Sequence, residues 1–253
     1  MQEGWHHELA SRDGELSYSG VVYNEMKGAF SSPERVLYSR IQGALFPGTC
    51  YGFESGGEPE AIPDLTQEKF LEFHGKYYHP SNSYIYLYGN GDTERELAFI
   101  DGGYLLGFGR AAIDSSIAVQ EPFPAMKEFT FEYPVSPGEE TAGKSILSLS
   151  YASGRATDPE AYFSFEIMRH LLLGTPASPL KQALLKAGLG RDVLGIAENG
   201  ILQPFFGIIV KDTDPDKKER FLSTVRGTLE TVARDGIDRE LVEASLNYNE
   251  FQL

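Results

Sequence analysis

Cysteine is nearly absent from this sequence: Cys50 is the only one among 253 residues. An internal disulfide and a cysteine-based metal site are therefore excluded. The chain also has no run near the ~18 apolar residues of a membrane span, and its N-terminal stretch lacks a signal-peptide core. We expect a soluble protein from a reducing compartment, with the cytoplasm favoured.

Basic side chains are scarce as well. The chain has 22 Lys and Arg residues against 37 Asp and Glu residues, a net charge of -15. This charge repels phosphate backbones and anionic membranes, which excludes nucleic acid and membrane surfaces as partners. An acidic surface can attract basic peptides, but it also serves solubility, so charge does not select a function.

The motifs of several enzyme classes are missing. The five histidines contain no H-E-x-x-H or H-x-x-E-H pair: they are His6, His7, His74, His79 and His170. A G-x-S-x-G elbow and the phosphate-binding glycine motifs are absent too. We expect His79, which precedes a proline, to have a structural role at a helix end, and His170 to be a satisfied residue at a helix boundary.

Hydrophobic residues make up 41% of the chain and charged residues 23%, which is typical of a globular protein. The first half alternates predicted helices with one predicted strand, YIYLYG from Tyr84, buried on both faces. Residues 113–125 have few periodic signals and two prolines, which predicts a linker. The predicted domains are then 1–112 and 126–253.

The second half begins with two predicted strands, EFTFEYPV and KSILSLSYASG. Thr157 and Glu160 form a predicted capping box for a helix that runs to His170. A short helix PLKQALLKAG, two strands and two further helices follow. This order is typical of an α+β domain.

Glu25 is the residue that the sequence singles out on chemical grounds. Helical spacing places it on one face with Val21, Val22 and Met26, which predicts a buried carboxylate. Such a group has to be paired, protonated or bound to a metal. A buried ion pair and a metal site both remain open at this stage.

Three stretches resemble the presequence-protease branch of the pitrilysin/insulinase family of zinc metallopeptidases. They are GVVYNEMKGAFSSPERVL, LFPGTCYGFESGGEPEAIPDLT and FLEFHGKYYHPSNSYIYLYGNGD, and the similarity continues through KSILSLSYASG and PLKQALLKAGLG. The resemblance implies an α+β fold with two related layered domains. Each would be a mainly antiparallel sheet packed with helices, and the first domain would be incomplete.

Enzymes of that family bind zinc through two histidines of an H-x-x-E-H helix and a distal glutamate, which the N-E-M-K-G segment matches at Glu25. The resemblance therefore implies that Glu25 is a zinc ligand. The H-x-x-E-H helix lies upstream in the family and is lacking here. The chain would be part of a zinc-dependent endopeptidase that degrades unfolded peptides in an enclosed chamber, with no catalytic residue of its own and no activity alone.

Two alternatives remain. The family also contains subunits that keep the fold without the zinc motif, so the chain could be a scaffold or interaction subunit. A complete small metal-binding protein would instead use His6, His7 and Glu25. The sequence stops without a C-cap, so we expect a piece of a longer protein. Its expected partners are peptide substrates, the missing H-x-x-E-H helix, the C-terminal half, and a second copy bound through exposed core surface.

Overall fold

The computed structural model describes residues 4–252, which form an α+β fold of helices and small antiparallel sheets. The strands are β1 His6–Leu9, β2 Leu16–Ser19, β3 Ser145–Ala152, β4 Asp192–Glu198 and β5 Phe205–Thr213. The α-helices are α1 Val21–Ala29, α2 Pro33–Leu45, α3 Gln67–Tyr77, α4 Thr93–Gly103, α5 Pro159–Arg169, α6 Pro179–Lys186, α7 Lys218–Asp235 and α8 Arg239–Gln252. None of the helices between residues 4 and 252 combines the length and the apolar composition that a membrane crossing requires.

The chain divides into two compact units. Unit 1 contains the described residues up to Phe30 together with Gly56–Ile117, and unit 2 contains Ser31–Ser55 together with Ala118 to the end of the described chain. The chain therefore passes between the units three times. The assignment of this chain to domains 1–112 and 126–253, with a linker at 113–125, stays a prediction.

Unit 1 begins with a hairpin of β1 and β2, in which His6 lies opposite Ser19. The connection turns where the Gly14 amide donates to the Ser11 carbonyl over 3.0 Å. We did not predict this hairpin from the sequence. Its signal is the dipeptide of Asp13 and Gly14, a common turn pair between strands.

Two helices of unit 1 begin at side-chain caps. The Thr66 hydroxyl accepts a hydrogen bond from the Lys69 amide at 3.3 Å, which caps α3. The Asp92 carboxylate accepts one from the Arg95 amide at 3.2 Å, which caps α4. Both caps satisfy amides that a first helical turn leaves without partners.

The predicted buried strand at Tyr84 is wrong. Residues 84–88 belong to no helix or strand, and the Tyr84, Tyr86 and Tyr88 side chains are exposed. A strand forms only where a neighbouring strand takes up its backbone hydrogen bonds. None of the strands within residues 4–252 pairs with this segment.

Unit 2 is built on an antiparallel sheet with the strand order β3, β5, β4. Leu149 of β3 and Gly195 of β4 both lie opposite Ile208 of the central strand. The register shifts between Ser145 and Leu147, where β5 carries Asp212 with a φ of 52°. The three strands confirm the sequence prediction, since β5 reads as a continuous apolar run typical of a strand covered on both faces.

Two apolar clusters cover the two faces of β5. On one face, Phe206, Ile208 and Val210 pack with residues of α6 and α7. On the other face, Phe205 packs with Ile41 and Phe46. The segment Ser31–Ser55 thus packs on one of the two faces of the central strand. Its helix α2 begins after the N-cap Ser32, whose hydroxyl accepts from the Arg35 amide at 3.4 Å.

Two local predictions for the second half are wrong. The stretch EFTFEYPV, residues 128–135, is not a strand, because no described strand pairs with it. The capping box of Thr157 and Glu160 is replaced by Asp158, whose carboxylate accepts from the amides of Glu160 and Ala161 at 3.1 and 3.2 Å. The aspartate is the N-cap because the helix begins at Pro159, one residue later than the box requires.

The helix α5 continues into a π-helical turn, His170–Gly174, whose residues up to Leu173 are buried. The next helix, α6, ends at Lys186, and the predicted terminator Gly188 follows two residues later with a φ of 62°, which favours glycine. The two last helices, α7 and α8, are confirmed as well.

Candidate functional site

Glu25, the predicted zinc ligand, lies in the middle of α1 with an exposed side chain. The prediction that it is buried is wrong. Val21 and Val22 are also exposed, and the buried residue of α1 is Met26. Gly56 packs directly against Met26: a Cβ atom on Gly56 would lie only 2.4 Å from the Met26 sulfur. This contact with a residue distant in sequence determines which face of the helix is buried.

The start of α1 is held by the chain that leads into the hairpin. The Tyr23 amide donates to the Gly4 carbonyl at 3.1 Å. Gly20, the N-cap of α1, has a φ of 146°, and a Cβ atom there would lie 2.5 Å from the same carbonyl oxygen and 2.6 Å from the Cα of Trp5. Only glycine allows this close approach, which holds the start of α1 against the chain that leads into the hairpin.

An aromatic cluster lies next to α1 on the hairpin. The Trp5 ring is 5.4 Å from His7 and 5.5 Å from Tyr18, and Tyr18 is 6.0 Å from Tyr23. The Lys27 ammonium lies 6.0 Å from the Tyr23 centroid, at the outer limit of a cation–π contact. We did not predict this cluster, because its members meet only once the hairpin has formed.

His6 and His7 do not combine with Glu25. As neighbours in a strand they face opposite sides. The Nδ1 atom of His6 is buried without a hydrogen-bond partner among the described residues, whereas His7 is exposed within the aromatic cluster. Over residues 4–252 no three His, Cys, Asp or Glu side chains are grouped so that they could hold a metal ion. The complete small metal site of His6, His7 and Glu25 is therefore wrong.

A catalytic zinc site needs three protein ligands and an open position. Glu25 offers one carboxylate, which has no ion-pair partner within the described chain. The described residues thus do not fit a complete zinc site. What they offer is a single exposed carboxylate that is available to a metal held mainly by other ligands.

The remaining histidines have local structural roles. His79 caps the short helical turn Pro80–Asn82, where its Nδ1 accepts from the Ser81 amide at 3.1 Å, which confirms the predicted role at a helix end. His74 stacks on Tyr78 with 4.7 Å between the ring centroids. Neither belongs to a group of three or more potential metal ligands among residues 4–252.

Unit 2 has two surface clefts of about 330 and 370 Å³, and both are lined by Lys144 and Asp212. Lys144 pairs with Glu139, and Lys211 pairs with Glu34. The Lys211 hydrogen bond lowers the pKa of Glu34 to about 2, and Glu34 in turn raises the pKa of Lys211. Both lysines already have carboxylate partners, so neither of them presents a free positive charge in these clefts.

The chain is similar in sequence to curated proteins over its whole length. Protein HypA of Clostridium perfringens is 49% identical over 253 residues, which is 100% of this chain and 26% of that protein. Presequence protease 1, chloroplastic/mitochondrial, of Arabidopsis thaliana is 38% identical over 258 residues, 100% of this chain and 24% of that protein. The chain thus spans about a quarter of the length of these relatives.

The fold is also found among solved structures. A peptidase M16 inactive domain from Pseudomonas fluorescens superposes with a TM-score of 0.60 at 17% identity, covering 91% of this chain and 55% of that one. A protease from Helicobacter pylori gives a TM-score of 0.59 at 18% identity, covering 92% and 55%.

The family model described as the peptidase M16 inactive domain matches residues 64–249, well over half of the chain. This match confirms the resemblance drawn from the sequence, although it begins after Glu25. The chain belongs to the M16, or pitrilysin, peptidase family, and most of it is a domain of the inactive type.

Proposed function

We propose that this chain is part of a zinc-dependent endopeptidase that degrades unfolded peptides in an enclosed chamber. The observation that carries the proposal is the 38% identity to a presequence protease along the whole chain. In this proposal the chain forms the later part of a first layered domain and a related second domain. It has no catalytic residue of its own, and other parts of the parent protein supply the H-x-x-E-H helix and the C-terminal half.

Within the proposal, Glu25 is a ligand to the zinc ion of the parent. Two features support this assignment: the match of its N-E-M-K-G segment to the family, and the exposed carboxylate without an ion-pair partner within the described chain. When bound, zinc supplies a Lewis acid and an activated water to such enzymes. The exposed, free Cys50 suits a reducing compartment such as the cytoplasm.

The test is to replace Glu25 by glutamine in the full-length parent and to measure zinc content and peptide hydrolysis together. We expect both to fall at least tenfold, since second-shell losses alone cost about 10- to 100-fold and a ligand costs more. Glu15→Gln, an exposed glutamate in the same unit, is the matched control and should change neither. Unchanged zinc content in Glu25→Gln would refute the ligand assignment.

A scaffold or interaction subunit is the second candidate, and the inactive type of the matched domain favours it. The two candidates differ in the metal content of the full-length protein. Stoichiometric zinc together with peptide hydrolysis supports the endopeptidase, whereas a parent without either supports the scaffold. Elemental analysis of the 253-residue chain alone should give well below one zinc per chain in both cases.

A further inference from the structure

The dipeptide Asn-Gly occurs twice in this chain, at Asn90–Gly91 and at Asn199–Gly200. Asparagine is a chemically labile residue. A following glycine increases this lability, because a residue without a Cβ atom lets its backbone nitrogen reach the carboxamide of the asparagine. The first pair lies in unit 1 and the second in unit 2, and the two differ in what holds their reacting groups.

The reaction of such a pair is intramolecular. The backbone nitrogen of the glycine loses its proton and bonds to the Cγ atom of the asparagine, while the carboxamide nitrogen gains a proton and leaves as ammonia. Water then opens the cyclic imide at one of its two carbonyl carbons, which gives aspartate or its isomer isoaspartate. No other protein and no cofactor takes part, so the rate depends on whether the two residues can reach the attacking geometry.

The Asn199 carboxamide is fixed within unit 2. Its Nδ2 atom donates to the Tyr162 carbonyl at 3.2 Å and to the Glu166 carboxylate at 3.4 Å, and the side chain is 6% exposed. Its Oδ1 atom, which gains negative charge as the ring closes, is buried without a hydrogen-bond donor among the described residues. Ring closure would therefore break buried hydrogen bonds and create a buried charge that has no partner.

The nitrogen that would attack Asn199 is restrained as well. The Gly200 amide donates to the Glu198 carboxylate at 2.7 Å. A negative charge beside this amide disfavours the loss of its proton, because the product would be a second anion. Glu198 is held in turn by Tyr38, whose hydroxyl donates to the other carboxylate oxygen. Neighbours within unit 2 thus restrain both reacting groups of this pair.

Asn90 and Gly91 lack these restraints. Within residues 4–252 neither the Asn90 carboxamide nor the Gly91 amide has a hydrogen-bond partner. The Glu96 side chain packs against Gly91 but accepts no hydrogen bond from its amide. Gly89, on the other side of Asn90, has a φ of 136°, so the turn has a glycine at each side of the asparagine. Its backbone can therefore rearrange without breaking a hydrogen bond of the described chain.

We propose that Asn90–Gly91 is a site of spontaneous covalent modification, at which the folded chain is converted to aspartate and isoaspartate, and that the fold protects the identical pair Asn199–Gly200. The reaction adds one negative charge to a chain of net charge -15. The isoaspartate product also lengthens the backbone by one carbon atom, just before Asp92, the N-cap of α4. Because the attacking atom belongs to the next residue, the site needs no free surface, and it does not rest on the proposed function.

Both pairs can be compared in one sample of the 253-residue chain in mildly alkaline buffer. Peptide mapping by mass spectrometry measures each modified fraction from the mass increase of an amide replaced by an acid, and chromatography separates aspartate from isoaspartate. We expect Asn90 to react roughly tenfold faster or more than Asn199 in the folded chain, since Asn199 reacts only after local opening. In concentrated urea the two should react at similar rates, because the fold then restrains neither.

Two variants test the two halves of the proposal. Asn90→Gln would have to close a larger ring, so modification at position 90 should nearly vanish while Asn199 behaves as before. Glu198→Gln removes the charge beside the Gly200 amide and should speed the reaction at Asn199 but not at Asn90. Circular dichroism checks that both variants are folded. Equal rates at the two asparagines in the folded wild type overturn the proposal, and so does an Asn90 that stays unmodified there.

Discussion

The imidazole ring of His170 stacks on the phenol ring of Tyr248, with 4.1 Å between the ring centroids and 15° between the planes. The Nδ1 atom of His170 also lies 2.9 Å from the Ser245 hydroxyl oxygen, in a buried hydrogen bond. Both partners belong to α8, and His170 begins the π-helical turn. A Cβ atom on Gly174 would lie 2.8 Å from the imidazole, so the turn is shaped around this ring.

Unfolding of the chain should depend on pH through His170. Burial lowers the pKa of this imidazole, and the charge of Arg169 lowers it further. As the pH falls, His170 therefore binds its proton in the unfolded chain before it does so in the folded chain. The free energy of unfolding is then largest above about pH 6.5, the ordinary pKa of histidine, and decreases as the pH falls below that value. We expect the urea midpoint to drop between pH 7 and pH 5.5.

His170→Gln should flatten this pH dependence while lowering the midpoint at pH 7, because the stacking on Tyr248 is lost. His74→Gln, at an exposed histidine, should leave the slope unchanged. If the urea midpoint changed equally with pH in the wild type and in His170→Gln, the role of the buried imidazole would be contradicted.

A second pH dependence lies at lower pH and comes from Glu34. The hydrogen bond from Lys211 lowers the pKa of Glu34 to about 2. Its contribution to stability is therefore complete above about pH 4.5 and is lost as the pH falls towards 2. Because the Glu34 side chain is 53% exposed, solvent screens the pair, and we expect no more than about 1 kcal/mol.

Glu34→Gln should remove this contribution and lower the free energy of unfolding at pH 7 by up to about 1 kcal/mol. Glu121→Gln replaces an exposed glutamate of the same unit that has no ion pair within the described chain, and it should change stability little. Denaturant unfolding at pH 7 and pH 3 measures both variants. If Glu34→Gln lowered the free energy of unfolding more at pH 3 than at pH 7, the expected pH dependence of the Glu34–Lys211 pair would be contradicted.

Phe46 fixes the segment Ser31–Ser55 to unit 2. Its side chain is fully buried, 6.2 Å from the ring centroids of both Phe205 and Tyr51. Phe46→Ala should cost about 3–5 kcal/mol of unfolding free energy, because it leaves a cavity beside the central strand. Phe53→Ala, seven residues on and exposed, should stay within about 0.5 kcal/mol. Similar losses for both would show that Phe46 is not a packing anchor.

Two glycines should respond to alanine with opposite signs. A Cβ atom on Gly190 would lie 2.3 Å from the Lys211 carbonyl oxygen and 2.4 Å from a Val210 methyl group. Gly190→Ala therefore forces the backbone apart, and we expect a loss of more than about 1 kcal/mol. Gly227 lies inside α7 with open space around it, so Gly227→Ala should stabilise by about 0.5–1 kcal/mol. Thermal unfolding of the two variants measures the difference.

The helices and the sheet of unit 2 could be predicted from the sequence because their signals are local. The capping serine before Pro33 and the apolar run of β5 each lie within a few neighbouring residues. The strand predicted at Tyr84 was wrong for the opposite reason: its apolar pattern is strand-like, but a ladder depends on a partner that the local sequence does not specify.

The same distinction applies to the candidate site. The motif predicts Glu25 as a zinc ligand, and this assignment stays a prediction. The predicted burial of α1 was wrong, because the contact between Met26 and Gly56 joins positions 30 residues apart. A helical pattern shows which residues share a face. Which face is covered depends on the rest of the fold, and in α1 the covering residue is a glycine that no periodicity marks.

The division of unit 2 into Ser31–Ser55 and the residues from Ala118 onward also affects how the protein is made. Phe46 leaves the ribosome about 160 residues before Phe205, the ring it packs against, which at roughly 5–20 residues per second is a delay of about 10–30 s. During that interval the Phe46 side chain cannot pack against Phe205, while the ribosome synthesises the rest of unit 1. We expect chaperones that recognise nascent apolar segments to bind α2 in this interval.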